Sequence, residues 1–357
     1  MKLVNQNDEK NGRLSFGSSR RRTVSLSSQD LVTMEYFDDA CALPLVIRAR
    51  KSGVDLIGWI KSQLPQVLSE LIRHGAILFR GFPITHPDLF RQVVDAVSGD
   101  PVPYLERTSP RTSVIENVYT STDYPSDQSI LPHNENSYAI TFPRKLFLWC
   151  ETAPQQGGQT PLCNTRKVLG HIDRAVINKF LEKQWMYVRN FTPHFGLSWQ
   201  TAFQTSDRAQ VERYCQSAGI AWEWTAAGLR TRQVRPVLAR HPKSGELSWF
   251  NHVTFFHITN VEPALRTRLL AQYEEKDLPN NTYYGDGSPI EERVIKHLLE
   301  IYQREMVMFL WEPGDVVLID NILTAHAREP FVGPRRILFA MAEPYTRTDV
   351  NIARIED

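Results

Sequence analysis

The sequence contains no hydrophobic run that approaches the roughly 18 apolar residues of a membrane-spanning helix. Its opening residues, Met1 to Asp8, include no apolar segment of the kind that secretory signals carry. The formal net charge is only +1, which gives no electrostatic reason to expect nucleic acid or an anionic membrane as a partner. These absences predict a soluble globular protein of the cytoplasm.

Cysteine is scarce, and the chain contains no CxxC pair of the kind that zinc clusters need. The four cysteines are Cys41, Cys150, Cys163 and Cys215. Hydrophobic residues make up 42% of the chain and include eight Trp, so a substantial core can form. This composition excludes a disordered or fibrous protein.

The chain is predicted to have a polar tail followed by a single domain. Residues 1–30 are polar, with Arg20, Arg21 and Arg22 flanked by serines, which predicts a flexible tail; a basic docking arm is the alternative. No internal repeat and no linker divides the remainder, so residues 31–357 are predicted to form one domain.

Hydrophobic spacing predicts both helices and strands. Apolar residues recur at three- and four-residue spacing in 56–72 and again in 166–183. Pro65 lies inside the first pattern and predicts either a kinked helix or two short helices. Ser288 to Glu291 resembles a capping box and predicts a helix that continues to about Gln303. Short apolar strands cluster around two regions with candidate metal ligands. The pattern is that of a mainly β protein with flanking helices, and it is compatible with a double-stranded β-helix, the jelly-roll barrel of cupins.

His133 and Glu135 are two residues apart in a segment that is predicted to be extended. Side chains at positions i and i+2 of a strand project from the same face, so the pair can present two ligands to one metal. His326 follows the buried strand around Val316 to Ile319 and is the best candidate for a third ligand. Two histidines and one carboxylate form the facial triad of non-haem Fe(II) oxygenases.

Arg335 and Arg336 begin an apolar strand near the chain's end. Successive strand residues point to opposite faces, so only one of the two arginines is expected to reach the interior. A buried guanidinium needs a partner, and a bound dicarboxylate suits it because arginine holds carboxylates with two hydrogen bonds. A salt bridge to an acidic residue on another strand is an equal alternative. Arg328 competes for the same role.

Seven segments, taken in order, resemble the taurine dioxygenase-like superfamily of Fe(II)/2-oxoglutarate-dependent oxygenases. The likeness is greatest to hydroxylases of nonribosomal peptide pathways, of the syringomycin aspartyl hydroxylase type. The segments extend over roughly residues 40 to 345 and are 75–82, 119–125, 133–138, 157–161, 249–251, 284–289 and 326–331 with 333–337.

The resemblance implies roles for particular residues. His133, Glu135 and His326 match the iron ligands, with Glu135 where most relatives of taurine dioxygenase have Asp. Thr160 matches the hydroxyl that bonds the far carboxylate of 2-oxoglutarate, and Arg336 matches its salt-bridge partner. Arg335 would then face outward or lie at the rim. The implied cofactors are Fe(II), 2-oxoglutarate as cosubstrate, and O2.

Two departures from the superfamily narrow the expected chemistry. The taurine enzyme has a sulfonate-binding arginine four residues beyond the 2-oxoglutarate arginine, and counting from Arg336 that position is Ala340. A sulfonate bound in that manner is therefore not expected. Related halogenases replace the carboxylate ligand by a small residue, whereas Glu135 is present here, so halogenation is disfavoured.

The resemblance implies hydroxylation of an unactivated C–H bond. The implied substrate is an amino acid or an amino-acid-derived natural-product intermediate, either free or tethered to a carrier protein. Tyr138 and Asn251 are candidate substrate contacts, and their alternative roles are a packed core aromatic and a capped turn. Desaturation or epoxidation uses the same iron site. A zinc-dependent hydrolase and a non-catalytic cupin-like binding protein are the remaining alternatives.

Overall fold

The computed structural model describes residues 28–37, 42–99, 111–121, 124–192, 196–226 and 228–350, together with the single residues 102, 106 and 108. Residues 1–27, with the arginine triplet of the predicted tail, lie outside these ranges. The described part of the chain begins with a short helix at Ser28, so residues 28–30 of the predicted tail lie within it.

The described residues form helices and strands throughout the chain. The helices are α1 Ser28–Leu31, α2 Leu56–His74, α3 Pro87–Val97, α4 Thr165–His171, α5 Arg174–Lys183, α6 Trp199–Phe203, α7 Arg208–Ser217, α8 Pro263–Gln272, α9 Glu292–Glu305 and α10 Arg347–Val350. The strands are β1 Val32–Glu35, β2 Leu45–Ala49, β3 Ala76–Arg80, β4 Ser113–Ile115, β5 Val118–Thr120, β6 Ile130–His133, β7 Thr141–Thr152, β8 Gln156–Gly157, β9 Leu162–Asn164, β10 Trp185–Phe191, β11 Ile220–Thr225, β12 Gly228–Arg235, β13 Leu238–Arg240, β14 Leu247–Trp249, β15 Asn280–Tyr284, β16 Met306–Val307, β17 Val316–Asp320, β18 Thr324–Arg328, β19 Phe331–Val332 and β20 Arg336–Thr346. None of the helices just given has the length and apolar composition needed to cross a bilayer.

Three larger sheets organise the strands. The main sheet has eight strands in the order β1-β2-β3-β17-β7-β20-β5-β4, and its pairs are antiparallel except for β2 with β3. A four-stranded sheet has the order β16-β9-β18-β6, and another has the order β11-β12-β10-β15. Two-stranded pairs β13-β14 and β19-β8 complete the described sheets. The protein is thus mainly β with flanking helices, as predicted.

Both faces of the main sheet are buried. Side chains alternate along β17, so Val316 and Leu318 pack with helices α2 and α3 while Val317 and Ile319 pack on the opposite face. On that opposite face the cluster includes Leu162, which belongs to the β16-β9-β18-β6 sheet. A strand covered on both faces is apolar at successive positions, which explains the Val-Val-Leu-Ile run.

Helix α2 is kinked, as predicted, and it ends at Gly75, where neighbouring atoms leave no room for a side chain. Non-helical backbone angles at Gln63 interrupt the helix just before Pro65. Gly75 ends it with φ of 85°, and its N–H donates to Leu71 O at 2.7 Å. A Cβ at Gly75 would lie 2.3 Å from Thr324 Oγ1, so this position also needs glycine for space.

Helix α9 begins later than the predicted capping box. Its first residue is Glu292, and the N-cap is Glu291 rather than Ser288. The Ser288 hydroxyl donates instead to Asp286 Oδ1 at 2.6 Å. The Glu291 carboxylate accepts hydrogen bonds from Lys179 Nζ at 2.6 Å and from the Tyr284 hydroxyl at 2.8 Å. The capping box is therefore wrong, because these side chains bind partners outside the helix.

Candidate metal centre

Two adjacent strands bring the predicted histidines together. His133 is the last residue of β6 and lies directly opposite His326 of β18, with 4.4 Å between the ring centroids. Glu135 follows in the turn after β6, and its Oε2 lies 3.9 Å from His133 Nε2 and 4.0 Å from His326 Nε2. The candidate ligand atoms of the three residues all lie within 4.8 Å of one another.

The imidazoles are prepared to act as ligands. His133 Nδ1 lies 2.8 Å from Leu131 O, and because a carbonyl only accepts, the proton is on Nδ1 and the lone pair is on Nε2. Burial is the main cause that lowers the pKa of His133 and holds the pKa of His326 well below its usual value. Both rings are therefore neutral at physiological pH, which is the form that binds metals.

Asn321 holds the backbone of the Glu135 turn. Its Oδ1 accepts a hydrogen bond from Glu135 N at 2.8 Å, and its Nδ2 donates to Glu135 O at 2.9 Å and to Pro143 O at 2.7 Å. Asn134 Nδ2 donates in return to Asn321 O at 2.7 Å. The Asn321 side chain is fully buried, so these bonds are protected from water.

Arg111 holds the carboxylate end of the same ligand. Its Nη2 donates to Glu135 Oε2 at 3.0 Å, and each of the two side chains is only 5% exposed. The guanidinium carbon lies 4.0 Å from the centroid of the Phe339 ring. Neither Arg111 nor Asn321 was among the residues predicted from the sequence.

A cavity with a volume of about 420 Å³, including its open mouth, is lined by the two histidines of the triad. Its lining residues are Arg111, Ser121, Ile130, His133, Leu148, Thr160, His326, Ala327, Arg328, Arg335 and Phe339. Thr160 therefore lies where it was predicted, at the pocket. Its Oγ1 accepts a hydrogen bond from Trp311 Nε1 at 3.2 Å, and Arg335 Nη2 lies 3.5 Å from the same oxygen.

The turn before Thr160 requires its glycines. Gly157 and Gly158 have φ of 69° and 66°, which side chains rarely adopt. A Cβ on Gly157 would also lie 2.2 Å from Pro330 O, so the turn packs directly on the chain that follows β18. Arg335 fastens this turn by donating from Nε to Gly158 O at 3.1 Å.

The structure does not bring Arg336 to the pocket, and this corrects its predicted placement. Its side chain is 50% exposed and pairs with Glu151 Oε2 at 2.8 Å. Alternation along β20 places Ile337 and Phe339 on the pocket face with Arg335, whereas Leu338 and Ala340 pack toward the helices. The position four residues beyond the inward arginine is therefore Phe339, not Ala340.

The pocket is electropositive beside Arg335. Burial, followed by the charge of Arg328, lowers the pKa of Arg335 to about 10, so it is still protonated at neutral pH. Arg328 donates to the backbone carbonyls of Tyr124, Pro125 and Gln128, and burial lowers its pKa too. These three partners are carbonyls rather than carboxylates, so two guanidinium charges favour an anionic ligand here.

The two predicted substrate contacts lie elsewhere. Tyr138 is buried in a core cluster, and its hydroxyl donates to Glu106 O at 3.0 Å and to Asn136 Oδ1 at 3.1 Å. Asn251 caps a turn, because its Oδ1 accepts from Val253 N at 3.0 Å and its Nδ2 donates to Val237 O at 3.0 Å. Neither side chain is among those that line this cavity. The packed-aromatic and capped-turn alternatives describe their contacts.

The residues present fit the groups that the resemblance implies. Two neutral imidazoles and one carboxylate suit non-haem Fe(II), and the cavity beside His133 and His326 has room for other ligands. A threonine hydroxyl beside a buried guanidinium suits the far carboxylate of a dicarboxylate such as 2-oxoglutarate.

Comparison with known proteins agrees with this chemistry. The family model described as taurine catabolism dioxygenase TauD, TfdA family matches residues 41–342. The dapdiamide synthesis protein DdaC of Enterobacter agglomerans is 38% identical over 282 residues, which are 79% of this chain and 85% of DdaC. The clavaminate synthase-like protein At3g21360 of Arabidopsis thaliana is 32% identical over 305 residues, 80% of this chain and 86% of that protein.

The fold also resembles that of PvcB from Pseudomonas aeruginosa. The TM-score is 0.52 at 15% identity, with 89% of this chain and 94% of PvcB covered. A further structure of PvcB, described as an Fe, alpha-ketoglutarate dependent oxygenase from an isonitrile synthetic pathway, gives the same score. At this identity the likeness is one of fold.

Proposed function

The chain belongs to the taurine catabolism dioxygenase TauD, TfdA family, and from this we propose that it oxidises an unactivated C–H bond in an amino acid or an amino-acid-derived natural product. As a member of that family it is an Fe(II)- and 2-oxoglutarate-dependent dioxygenase. The observation that carries the proposal is a single pocket in which a hydroxyl and a guanidinium lie beside a triad of two imidazoles and a carboxylate.

We propose that His133, Glu135 and His326 hold the iron through the two Nε2 atoms and a carboxylate oxygen. Arg335 and Thr160, rather than Arg336, would hold the far carboxylate of 2-oxoglutarate, because Arg336 pairs with Glu151 outside the pocket. When bound, the metal would let O2 oxidise both 2-oxoglutarate, to succinate and carbon dioxide, and the substrate, with one oxygen atom of O2 entering succinate and the other the hydroxylated product.

The chain's own contribution is orientation and exclusion of water. Ile130, Leu148, Ala327 and Phe339 are the apolar part of the pocket wall and limit the access of water to the reacting carbon. The charge of Arg335 fixes one end of the dicarboxylate and directs its other end toward the triad. Asn321 keeps the ligand turn in place while substrates enter and leave.

We also propose that two of the sheets form the double-stranded β-helix of this superfamily. The main sheet and the β16-β9-β18-β6 sheet share a core, in which Leu162 packs with Val317, Ile319 and Ile337. The proposal further keeps residues 31–357 as a single domain, since the helices α2 and α3 pack on the outer face of the main sheet.

The substrate class is inferred from a relative. DdaC is a dapdiamide synthesis protein, which supports an amino-acid-derived natural product as substrate here. Presentation on a carrier protein is part of the proposal. A cytoplasmic location is proposed as well, because Cys150 and Cys215 are buried free thiols whose pKa burial raises to about 12 in each case.

The test is an anaerobic titration with Fe(II) and 2-oxoglutarate, followed by the visible charge-transfer band of the metal chelate. We expect the band in the wild type and its loss in His133→Ala and His326→Ala. Arg335→Gln should raise the 2-oxoglutarate concentration for half-saturation about 30-fold or more, since a buried carboxylate loses its charged partner. Arg336→Gln is the matched control and should change that concentration less than about twofold.

Either of two results would contradict the proposal. A wild-type protein that binds metal without ever showing the band would remove 2-oxoglutarate from the mechanism. A larger effect of Arg336→Gln than of Arg335→Gln would restore the original assignment of the pair. Amino acids are then supplied as substrates, both free and as carrier thioesters, and the products are analysed by mass spectrometry. Hydroxylation adds the mass of one oxygen atom, whereas desaturation removes the mass of two hydrogen atoms. Epoxidation is tested separately, because it needs a substrate that contains an alkene.

A further inference from the structure

We propose that Arg111 is a positioning residue that fixes the Glu135 carboxylate in the orientation that binds the metal. The inference rests on the proposed metal site and deepens it. It concerns a residue that no feature of the triad itself identifies, since Arg111 lies in a separate segment of the chain, just before β4.

Arg111 binds the carboxylate oxygen of Glu135 that faces the two histidines. Oε2 of Glu135 faces both His133 Nε2 and His326 Nε2, at 3.9 and 4.0 Å. The same Oε2 accepts the hydrogen bond from Arg111 Nη2 at 3.0 Å. Rotation of the carboxylate away from the imidazoles would break that bond, so Arg111 selects the rotamer that points at the site.

Glu135 needs such a partner because its backbone is fixed but its side chain is long. Asn321 holds the N–H and C=O of Glu135, and those bonds leave the side-chain torsions unconstrained. Glutamate has one more rotatable bond than the aspartate of many relatives. A hydrogen bond at the carboxylate end removes that freedom before the metal arrives.

Arg111 is itself held in place. Its guanidinium lies against the Phe339 ring, with 4.0 Å from the guanidinium carbon to the ring centroid, and its side chain is 5% exposed. Phe339 lies in β20, which pairs along its length with β7 in the main sheet. The main sheet thus fixes Phe339, the Phe339 ring fixes the Arg111 guanidinium, and Arg111 fixes the Glu135 carboxylate.

The direction in which removal of Arg111 changes metal affinity tests the proposal, because its charge alone would change that affinity in the opposite direction. A cation beside the site repels Fe(II). If Arg111 were only a nearby charge, its removal would tighten metal binding. If it positions Glu135, its removal weakens metal binding.

The experiment measures Mn(II) affinity of the metal-free protein by electron paramagnetic resonance, without 2-oxoglutarate or turnover. Arg111→Gln should raise the Kd for Mn(II) by about 10- to 100-fold, the usual effect of losing a residue that orients a metal ligand. Arg111→Lys keeps the charge but not the planar, stacked fork, so it should recover only part of the affinity. An unchanged or lower Kd in Arg111→Gln would overturn the proposal.

Further variants separate positioning from a general loss of structure. In a Glu135→Asp background the shorter carboxylate withdraws from Arg111, so Arg111→Gln should then change the Kd less than about threefold, a non-additive result. Arg213→Gln is the control, because the Arg213 side chain is 67% exposed, and we expect it to leave the Kd for Mn(II) unchanged. Equal effects of Arg111→Gln in both backgrounds would show that it acts through the fold instead.

The outcome is distinguishable from that of the proposed function. A wild type that binds Mn(II) but shows no chelate band with Fe(II) and 2-oxoglutarate would contradict the function and leave the role of Arg111 standing. A wild type that binds no Mn(II) would overturn both.

Discussion

At the residue scale, one carboxamide connects the two segments that carry the metal ligands. Asn321 follows the buried strand β17, and its side chain both accepts from and donates to the backbone of Glu135. A carboxamide is suited to this because it carries an acceptor and two donors on one small group. Aspartate has the same shape but offers acceptors alone.

Asn321→Asp tests this description. The carboxylate would face the carbonyls of Glu135 and Pro143, which now accept from Nδ2, in a site with no exposed surface. We expect the free energy of unfolding of the metal-free protein to fall by about 3 kcal/mol or more, because two buried carbonyls lose donors and face a negative charge. Urea unfolding measures it.

A matched exchange gives the control. Asn178 is exposed on helix α5, and Asn178→Asp should change the unfolding free energy by less than about 0.5 kcal/mol. Similar losses in the two variants would mean that the carboxamide bonds of Asn321 contribute little.

A site residue could be predicted from the sequence only where its role requires a fixed separation from another residue along the chain. His133 and Glu135 could be picked out because strand geometry relates positions i and i+2, whereas Thr160 was implied only by the resemblance to known oxygenases. Strand alternation showed that one of Arg335 and Arg336 faces inward but did not say which. Arg111 could not be found, because its contact with Glu135 is set by the tertiary fold and not by separation along the chain.

At the element scale, helix α9 is fastened by an ion pair and not by a conventional cap. Glu291 receives hydrogen bonds from Lys179 of α5 and from Tyr284 of β15. The bond from Lys179 is the largest cause that lowers the pKa of Glu291 to about 2. The start of α9 is therefore tied to two other elements by one carboxylate.

The stability effect of Glu291→Gln should depend on pH. The folded pKa lies below the usual 4.5, so the charge stabilises the fold above about pH 4.5, and this contribution is lost as the pH falls toward 2. The variant should melt below the wild type at pH 7, and the difference should shrink toward pH 2. With a side chain 37% exposed, the loss at pH 7 should stay within about 1 kcal/mol.

Glu292→Gln is the comparison for this measurement. Its carboxylate is 69% exposed and lies 3.5 Å from Arg266, so its melting difference should be small at every pH. A difference for Glu291→Gln that persists unchanged at pH 2 would assign the effect to packing.

The elements themselves were predicted well where apolar spacing was uninterrupted. Helix α2 has its kink near Pro65, and β3 occupies the expected apolar run. The helical spacing predicted for 166–183 corresponds to two helices, because α4 ends at His171 and α5 begins at Arg174. The apolar periodicity continues across this break, so it contained no signal for the interruption.

At the scale of the whole molecule, the main sheet separates two environments. Its outer face packs against α2 and α3, where Phe90 is fully buried with its ring centroid 5.9 Å from that of Trp149. Its inner face presents Phe339 to the pocket, next to Arg335, which immediately precedes β20. We therefore expect that changes in packing on the outer face leave the metal site on the inner face unaffected.

Phe90→Ala should destabilise the protein without changing the site. Removing a fully buried phenylalanine leaves a cavity that costs about 3 to 5 kcal/mol in free energy of unfolding. The Kd for Mn(II), measured below the melting temperature, should stay within about twofold of the wild type. Phe90→Leu should lose less stability, and a large change of Kd in either variant would show that the two faces are coupled.

The order of strands in the sheets was the part least accessible from the sequence. β18 pairs with β6 and β9, and β20 pairs with β7 and β5, so neighbours in space are distant along the chain. Apolar alternation tells which face of a strand is buried but not which strand lies beside it. The resemblance to known oxygenases supplied the expected architecture where periodicity could not.

During synthesis on the ribosome, His133 emerges long before His326 is translated. The bond between Asn134 and Asn321 joins residues 187 positions apart, so β6 gains its neighbour β18 only after the intervening chain has been made. Until His326 has been made, the chain holds at most two of the three ligands, and metal sites rarely exist before the fold does. Iron therefore binds only after β18 has folded beside β6, and the metal is chosen by the pool that the folded segment meets.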